Sequence, residues 1–88
     1  MSMAGALQVS VISPERTVFE GQAEQVVAPA WDGEIGILRG HAPMLVLLGD
    51  GEVRIRAEGQ DQRFQIAGGF LQVVEDHVTI LSEHAARR

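Results

Sequence analysis

The sequence predicts an all-β domain, a flattened antiparallel β-sandwich, and two observations carry this prediction. Apolar and polar residues alternate with a period of two, which places one face of each strand in a core and the other face in water. Turn-forming pairs such as Asp32-Gly33 and Glu75-Asp76 recur at short intervals between these segments, as they do in sandwiches and barrels. The clearest alternating segments are residues 7–11, 53–57 and 64–66.

The C-terminal part of the chain follows a different pattern. Residues 70–74 and 78–81 are apolar at both parities, so each segment either buries both faces as a central strand or presents one face to a partner. The tail, residues 82–88, has the only helical signature, with Ser82 as a candidate N-cap, although it is too short for a stable isolated helix. We expect a sandwich over residues 1–82 and a short tail over residues 83–88.

Composition excludes several classes of function. A chain of 88 residues is expected to form one domain with a modest core. The net charge is −5 and there is no basic run, so nucleic acid is not an expected partner. The absence of cysteine excludes disulfides, and the longest apolar run, residues 44–48, is far shorter than the ~20 residues that cross a bilayer. Membrane association is therefore expected only through partner proteins.

A search for reactive groups predicts no catalytic, cofactor or metal site. His41, His77 and His84 have none of the spacings typical of metal ligands, and a chain without lysine contains no P-loop. Asp32 and Glu34 form a carboxylate pair of the kind that is common in solvated turns. A small hydrolase that uses these two carboxylates with His41 is one alternative function.

Trp31 and His41 are the loop residues that invite a functional interpretation. Trp31 lies close to a proline and a glycine turn, so its ring either packs into the core or stays exposed as an interface anchor. Taken alone, His41 is predicted to be a loop histidine that caps a strand end or hydrogen-bonds a backbone carbonyl. A stand-alone β-sandwich module that binds a ligand or partner near these two residues is a second alternative function.

Distinctive segments follow one another along nearly the whole chain. The first hairpin reads LQVSVISPER and then VFEG, and the most distinctive part reads DGEIGIL followed by GHAPML. The segments GDGEVRI, AGGFLQV and VTIL complete the series. In this order they resemble the N-terminal domain of the epsilon subunit family of F-type ATP synthases, whose mitochondrial counterpart is called delta.

The resemblance implies a sandwich of two sheets with roughly five strands each, and a non-catalytic role in the rotor. Such a domain couples the gamma subunit to the membrane ring of c subunits, with the catalytic alpha/beta head as an indirect partner, on the cytoplasmic side of the inner or plasma membrane. The implied interface at the c-ring and stalk end comprises Trp31, Asp32, Gly33, Glu34, Arg39, Gly40, His41 and Ala42. The implied gamma-docking strands carry Phe70, Val74 and Leu81.

Two features depart from the family pattern. Arg39 stands where the family often has proline, so the φ angle before the next turn is not fixed by a ring. Many members continue into a C-terminal helical hairpin that inhibits ATP hydrolysis, and these 88 residues end where that hairpin would begin. We therefore expect this polypeptide to couple rotation without inhibiting hydrolysis through a hairpin.

Overall fold

The computed structural model describes residues 6–88 and contains eight β-strands. None of these residues is in an α-helix, and no helix in this part of the chain could cross a bilayer. The predicted all-β class is therefore confirmed. The strands are β1 Leu7–Ile12, β2 Thr17–Ala23, β3 Gln25–Ala30, β4 Gly33–Leu38, β5 Met44–Ala57, β6 Gln60–Val74, β7 His77–Leu81 and β8 Ala85–Arg87.

The strands form one continuous hydrogen-bonded path that folds into two layers. Its order is β2-β1-β7-β6-β5-β3-β4, with β8 paired to β6, and only β1 and β7 are parallel among the paired strands of residues 6–88. The first layer contains β2, β1 and β7, together with the half of β6 that ends at Val74 and the half of β5 that begins at Met44. The second layer contains the other halves with β3, β4 and β8. Each layer thus holds five strand segments, and the long β5–β6 hairpin belongs to both.

The bend between the layers lies at glycines in β5 and β6. The β5–β6 ladder leaves out Gly49 and Gly68, and Gly68 and Gly69 have φ angles of 66° and 115°. Residues with a Cβ atom rarely adopt such angles. A Cβ on Gly69 would also overlap the carbonyl oxygen of Leu81 on the neighbouring strand. The bend expected at Gly68-Gly69 is therefore present, and glycine is needed there for both conformation and space.

The core lies between the layers and consists of alternate residues of the strands. Leu7, Val9 and Val11 of β1 are buried and the residues between them are less so, which confirms the predicted alternation. Phe64 of β6 is fully buried, and its ring meets that of Phe19 edge-on at 5.6 Å between centroids. The other buried apolar residues are Ala23, Val26, Ala28, Ala30, Ile37, Leu48, Val53, Ile55, Ile66, Leu71, Val73, Val78 and Ile80.

The tail ends in a strand, so the helix that the signature of residues 82–88 suggested does not form. Ser82 is buried and caps no helix, because its hydroxyl lies 2.7 Å from the His84 carbonyl oxygen and accepts the Ala67 N–H at 3.3 Å. β8 then pairs with residues 64–66 of β6. Pairing with this edge of β6 satisfies the backbone hydrogen-bonding groups of the tail, whereas a helix of this length is too short to be stable alone.

Candidate partner-binding surfaces

The predicted interface residues divide between opposite ends of the β3–β4 hairpin. Residues 31–34 surround the turn between the two strands, whereas residues 39–42 follow the far end of β4 at Leu38. The five steps from the first to the last residue of β4 correspond to about 17 Å at about 3.4 Å per residue. We had expected Glu34 and His41 to lie in one patch, and the structure places them apart. The assignment of either end to a partner stays a prediction.

The Trp31 end combines an exposed ring with a fixed backbone. Trp31 is 69% exposed, so the alternative that its ring packs into the core is wrong. Its N–H donates to the carbonyl oxygen of Leu47 at 3.0 Å, which ties the turn to β5. Residues 32–33 are exposed, and the Glu34 carboxylate lies 3.6 Å from the Arg54 guanidinium. An exposed tryptophan on a well-held backbone is typical of an interface anchor.

The turn over residues 39–42 is mostly exposed and is held by hydrogen bonds. Arg39, Gly40 and Ala42 are exposed, and His41 is half-buried. The His41 N–H closes a β-turn three residues back, at 3.2 Å, with Gly40 at a φ of 83°. The Gly40 N–H donates to the Asp76 carboxylate at 2.7 Å. His41 Nδ1 lies 2.7 Å from the carbonyl oxygen of the next residue, which confirms the local role expected of a loop histidine.

The separation of the two ends removes the geometry that a hydrolase or a site for one small ligand would require. A hydrolase would need Asp32 close to His41, and a single small ligand would need Trp31 close to His41. In the structure each of these pairs spans the length of β4. Within residues 6–88, no group of three His, Asp or Glu side chains could hold a metal ion.

A third surface, on the outer face of the first layer, is apolar. The strand register aligns Leu47, Phe70, Leu81 and Ile12 across four adjacent strands, and we call these four residues the apolar row. The first three are 49%, 49% and 48% exposed. An open groove of about 480 Å³ lies beside the row and is also lined by Pro14. This grouping of exposed apolar residues makes the row a candidate site of interaction.

The apolar row resolves the question that the sequence left open for the C-terminal strands. β6 and β7 each have a paired strand on both sides within the first layer. Phe70, Val74 and Leu81 nevertheless point outward and are exposed, so these strands do not bury both of their faces within the chain. Leu45 is exposed on the same face, and sequence reasoning did not single it out. The signal was available in residues 44–48, which are also apolar at both parities.

Charged side chains are concentrated on the outer face of the second layer. Arg56 pairs with Asp61 at 3.1 Å, and Arg63 pairs with Glu52 at 3.1 Å. All ion pairs of the described residues join β4, β5, β6 and the terminal Arg88. Exposed pairs of this kind contribute about 0–1 kcal/mol each and suit a solvated surface. The two outer faces therefore differ, since one carries charged side chains paired within the chain and the other carries the exposed apolar row.

The model of one protein family, described as the beta-sandwich domain of the ATP synthase delta/epsilon chain, matches residues 6–88. The chain belongs to this family. Its relatives include the ATP synthase epsilon chain 1 of Methylococcus capsulatus, 50% identical over 86 residues, and the ATP synthase epsilon chain of a Synechococcus species, 43% identical over 81 residues. The alignments cover 97% and 92% of this chain but 61% and 59% of the relatives, so the chain spans about three fifths of their length.

Solved structures of mitochondrial ATP synthases contain chains with the same fold. A chain in the Euglena gracilis enzyme matches with a TM-score of 0.89 at 20% identity, over 99% of this chain and 56% of that one. A chain in the Tetrahymena thermophila enzyme matches with a TM-score of 0.77 at 16% identity, over 91% of this chain and 65% of that one. The family match confirms the resemblance seen in the sequence, and these two structures show the same fold.

Proposed function

We propose that this chain is the β-sandwich domain of an epsilon subunit, a non-catalytic part of the central stalk that couples gamma to the c-ring in an F-type ATP synthase. The observation that carries the proposal is the apolar row, an exposed apolar surface on a domain of the delta/epsilon family. The relatives bear the name ATP synthase epsilon chain, and the Euglena and Tetrahymena structures are of assemblies that include the c-ring. A coupling role requires complementary surfaces and no reactive site.

The apolar row is the proposed docking face for the gamma subunit. Leu47, Phe70 and Leu81 are half exposed, and docking would remove their apolar area from water with a gain of about 25 cal/mol per Å². Val74 extends the same face toward the far end of β6. A joint that resists shear is better served by a buried apolar centre than by exposed ion pairs. The catalytic alpha/beta head then becomes an indirect partner through gamma.

A part that joins a ring to a stalk needs surfaces that both partners can occupy at once. Residues 31–34 and 39–42 meet this need because the length of β4 separates them. We assign the first group to the polar loops of the c-ring, since Trp31 offers an exposed anchor beside the carboxylates of Asp32 and Glu34. We assign the second group to the stalk, since the chain runs from it directly into β5, which carries part of the apolar row.

In this role the domain lies on the cytoplasmic side of the inner or plasma membrane and reaches the membrane only through its partners. Because it spans about three fifths of the length of its epsilon relatives, control of ATP hydrolysis by a whole epsilon chain is not assigned to these residues. That the 88-residue polypeptide does not inhibit through a hairpin stays a prediction. Strong, ATP-reversible repression of hydrolysis by this polypeptide, added to a complex depleted of epsilon, would contradict it.

The proposal is tested by titrating the purified chain against the gamma subunit, alone and in the assembled catalytic head. We expect tight one-to-one binding that weakens about tenfold or more when Phe70 and Leu81 are both replaced by serine, as for anchors of an interface. Val27→Ser is the matched control, since Val27 faces outward on β3 in the second layer. Equal weakening by the control, or no binding by the folded chain, would contradict a gamma-docking apolar row.

A further inference from the structure

The turn between β6 and β7 has an uncommon backbone conformation. Glu75 and Asp76 have φ angles of 48° and 65°, the geometry of a two-residue hairpin turn that favours Asn-Gly. Residues other than glycine rarely adopt such angles, although aspartate tolerates them better than most. The backbone here is held from two directions, because Val74 pairs with His77 and the Asp76 carbonyl oxygen accepts the Gln8 N–H at 2.8 Å.

The Asp76 side chain reaches out of this turn to another one. Its Oδ1 accepts the Gly40 N–H at 2.7 Å, across 36 positions of sequence. This distance is short for an N–H···O hydrogen bond and is typical of a charge-assisted one. Among residues 6–88, the other hydrogen bonds of the turn over residues 39–42 are local, from His41 to its neighbours. The carboxylate is thus the contact that ties this turn to a remote segment.

We propose that Asp76 is a positioning residue for the turn over residues 39–42 and acts through the Gly40 N–H. Glycine would adopt the φ of position 76 with less strain, so the geometry of the β6–β7 turn does not by itself call for aspartate. What the carboxylate supplies, and glycine cannot, is an acceptor for Gly40. Arg39 imposes no restraint of its own on the turn, in contrast to a proline ring. The Asp76 carboxylate therefore adds a restraint from outside the turn to the two local hydrogen bonds of His41.

The same bond combines two turns into one surface at this end of the sandwich. Arg39 and His41 belong to one turn, and Glu75 and His77 belong to or flank the other. A partner that docks on residues 39–42 therefore meets a surface whose shape depends on Asp76. The consequence for binding rests on the proposed function, whereas the consequence for Gly40 itself does not.

Hydrogen exchange at the Gly40 amide, followed by NMR, tests the positioning role in three variants. Asp76→Ala and Asp76→Gly remove the acceptor and should speed exchange about tenfold, in line with the loss of a charge-assisted hydrogen bond. Asp76→Asn keeps a carbonyl oxygen and should stay within about threefold of the natural chain. Asp76→Gly should also leave the urea midpoint unchanged or higher, because it relieves the positive φ.

Two outcomes of the exchange measurement would overturn the proposal. One is unchanged Gly40 exchange in Asp76→Ala and Asp76→Gly. The other is equal acceleration at the amide of Ile80 in the core, since a general loss of stability would then explain the effect.

Titration against the gamma subunit provides a second readout. We expect about fivefold weaker binding for Asp76→Ala and Asp76→Gly, because the free turn would have to be ordered on docking, and near-natural binding for Asp76→Asn. Faster Gly40 exchange with unchanged affinity would refute a positioning role at the interface. Failure of the natural chain to bind gamma would contradict the proposed function, and the exchange data would still decide the role of Asp76 within the chain.

Discussion

Replacement of Gly69 by alanine is expected to remove a large part of the free energy of unfolding. A residue with a side chain at a φ of 115° is destabilised by roughly 1–3 kcal/mol. The added Cβ would overlap the Leu81 carbonyl oxygen and lie 2.9 Å from Ser82 Cα, so β7 would have to move away from β6. Overpacking of this kind costs about 1–3 kcal/mol more. The sum of about 2–6 kcal/mol is a large part of the roughly 4–13 kcal/mol expected for a chain of 88 residues.

Two other glycines provide matched controls for this substitution. Gly59 has a φ of 77° with no atom within 4 Å of an added Cβ, so Gly59→Ala isolates the backbone term of about 1–2 kcal/mol. Gly36 has an ordinary φ and one neighbour at 4.0 Å, so Gly36→Ala should change stability by less than about 1 kcal/mol.

Urea titration followed by far-UV circular dichroism gives the free energy of unfolding of each variant. Fluorescence is the poorer probe, because Trp31 is already exposed in the folded chain and reports little on burial of the core. The clash argument is refuted if Gly69→Ala is destabilised no more than Gly59→Ala.

Three further predictions concern Phe64, Ser82 and Trp31. Phe64→Ala should lower the free energy of unfolding by about 3–5 kcal/mol, because the ring is fully buried against Phe19; a loss below about 1 kcal/mol in urea titration would contradict this packing. Ser82→Ala should cost about 1 kcal/mol by the same assay, since its hydroxyl bridges β6 and the tail, and no loss would argue against the bridge. Iodide should quench Trp31 fluorescence in the free chain and not in a complex with the c-ring; equal quenching in both would exclude Trp31 as the anchor.

The sequence was sufficient to predict the strands whose two faces differ. In β1, alternation alone placed Leu7, Val9 and Val11 inside, because a one-residue shift would expose all three at once. The Gly68-Gly69 bend was also predictable, since glycine within a strand weakens it and often marks a bulge or a bend. The family resemblance added the expected partners, which no periodicity could supply.

Three features of the structure were not predicted from the sequence. The strand β8 forms because β6 offers an unpaired edge, and nothing within residues 82–88 encodes that edge. The distance between the Trp31 and His41 turns depends on whether residues 33–38 are extended, and no strand was predicted for them from the sequence. The Asp76 contact was similarly hidden, since Gly40 and Asp76 are 36 positions apart.

The shared β5–β6 hairpin also explains how the proposed binding regions could act together. Leu47 belongs to the apolar row through its side chain, and its carbonyl oxygen holds the Trp31 N–H. A load on the Trp31 turn would therefore pass to the apolar row through backbone hydrogen bonds rather than through flexible side chains. Such a ladder yields only by local unfolding, which costs more than the rearrangement of a surface ion pair. Torque transfer in the proposed role would then depend on the strand ladder, and the charged face of the second layer would be free to stay in solvent.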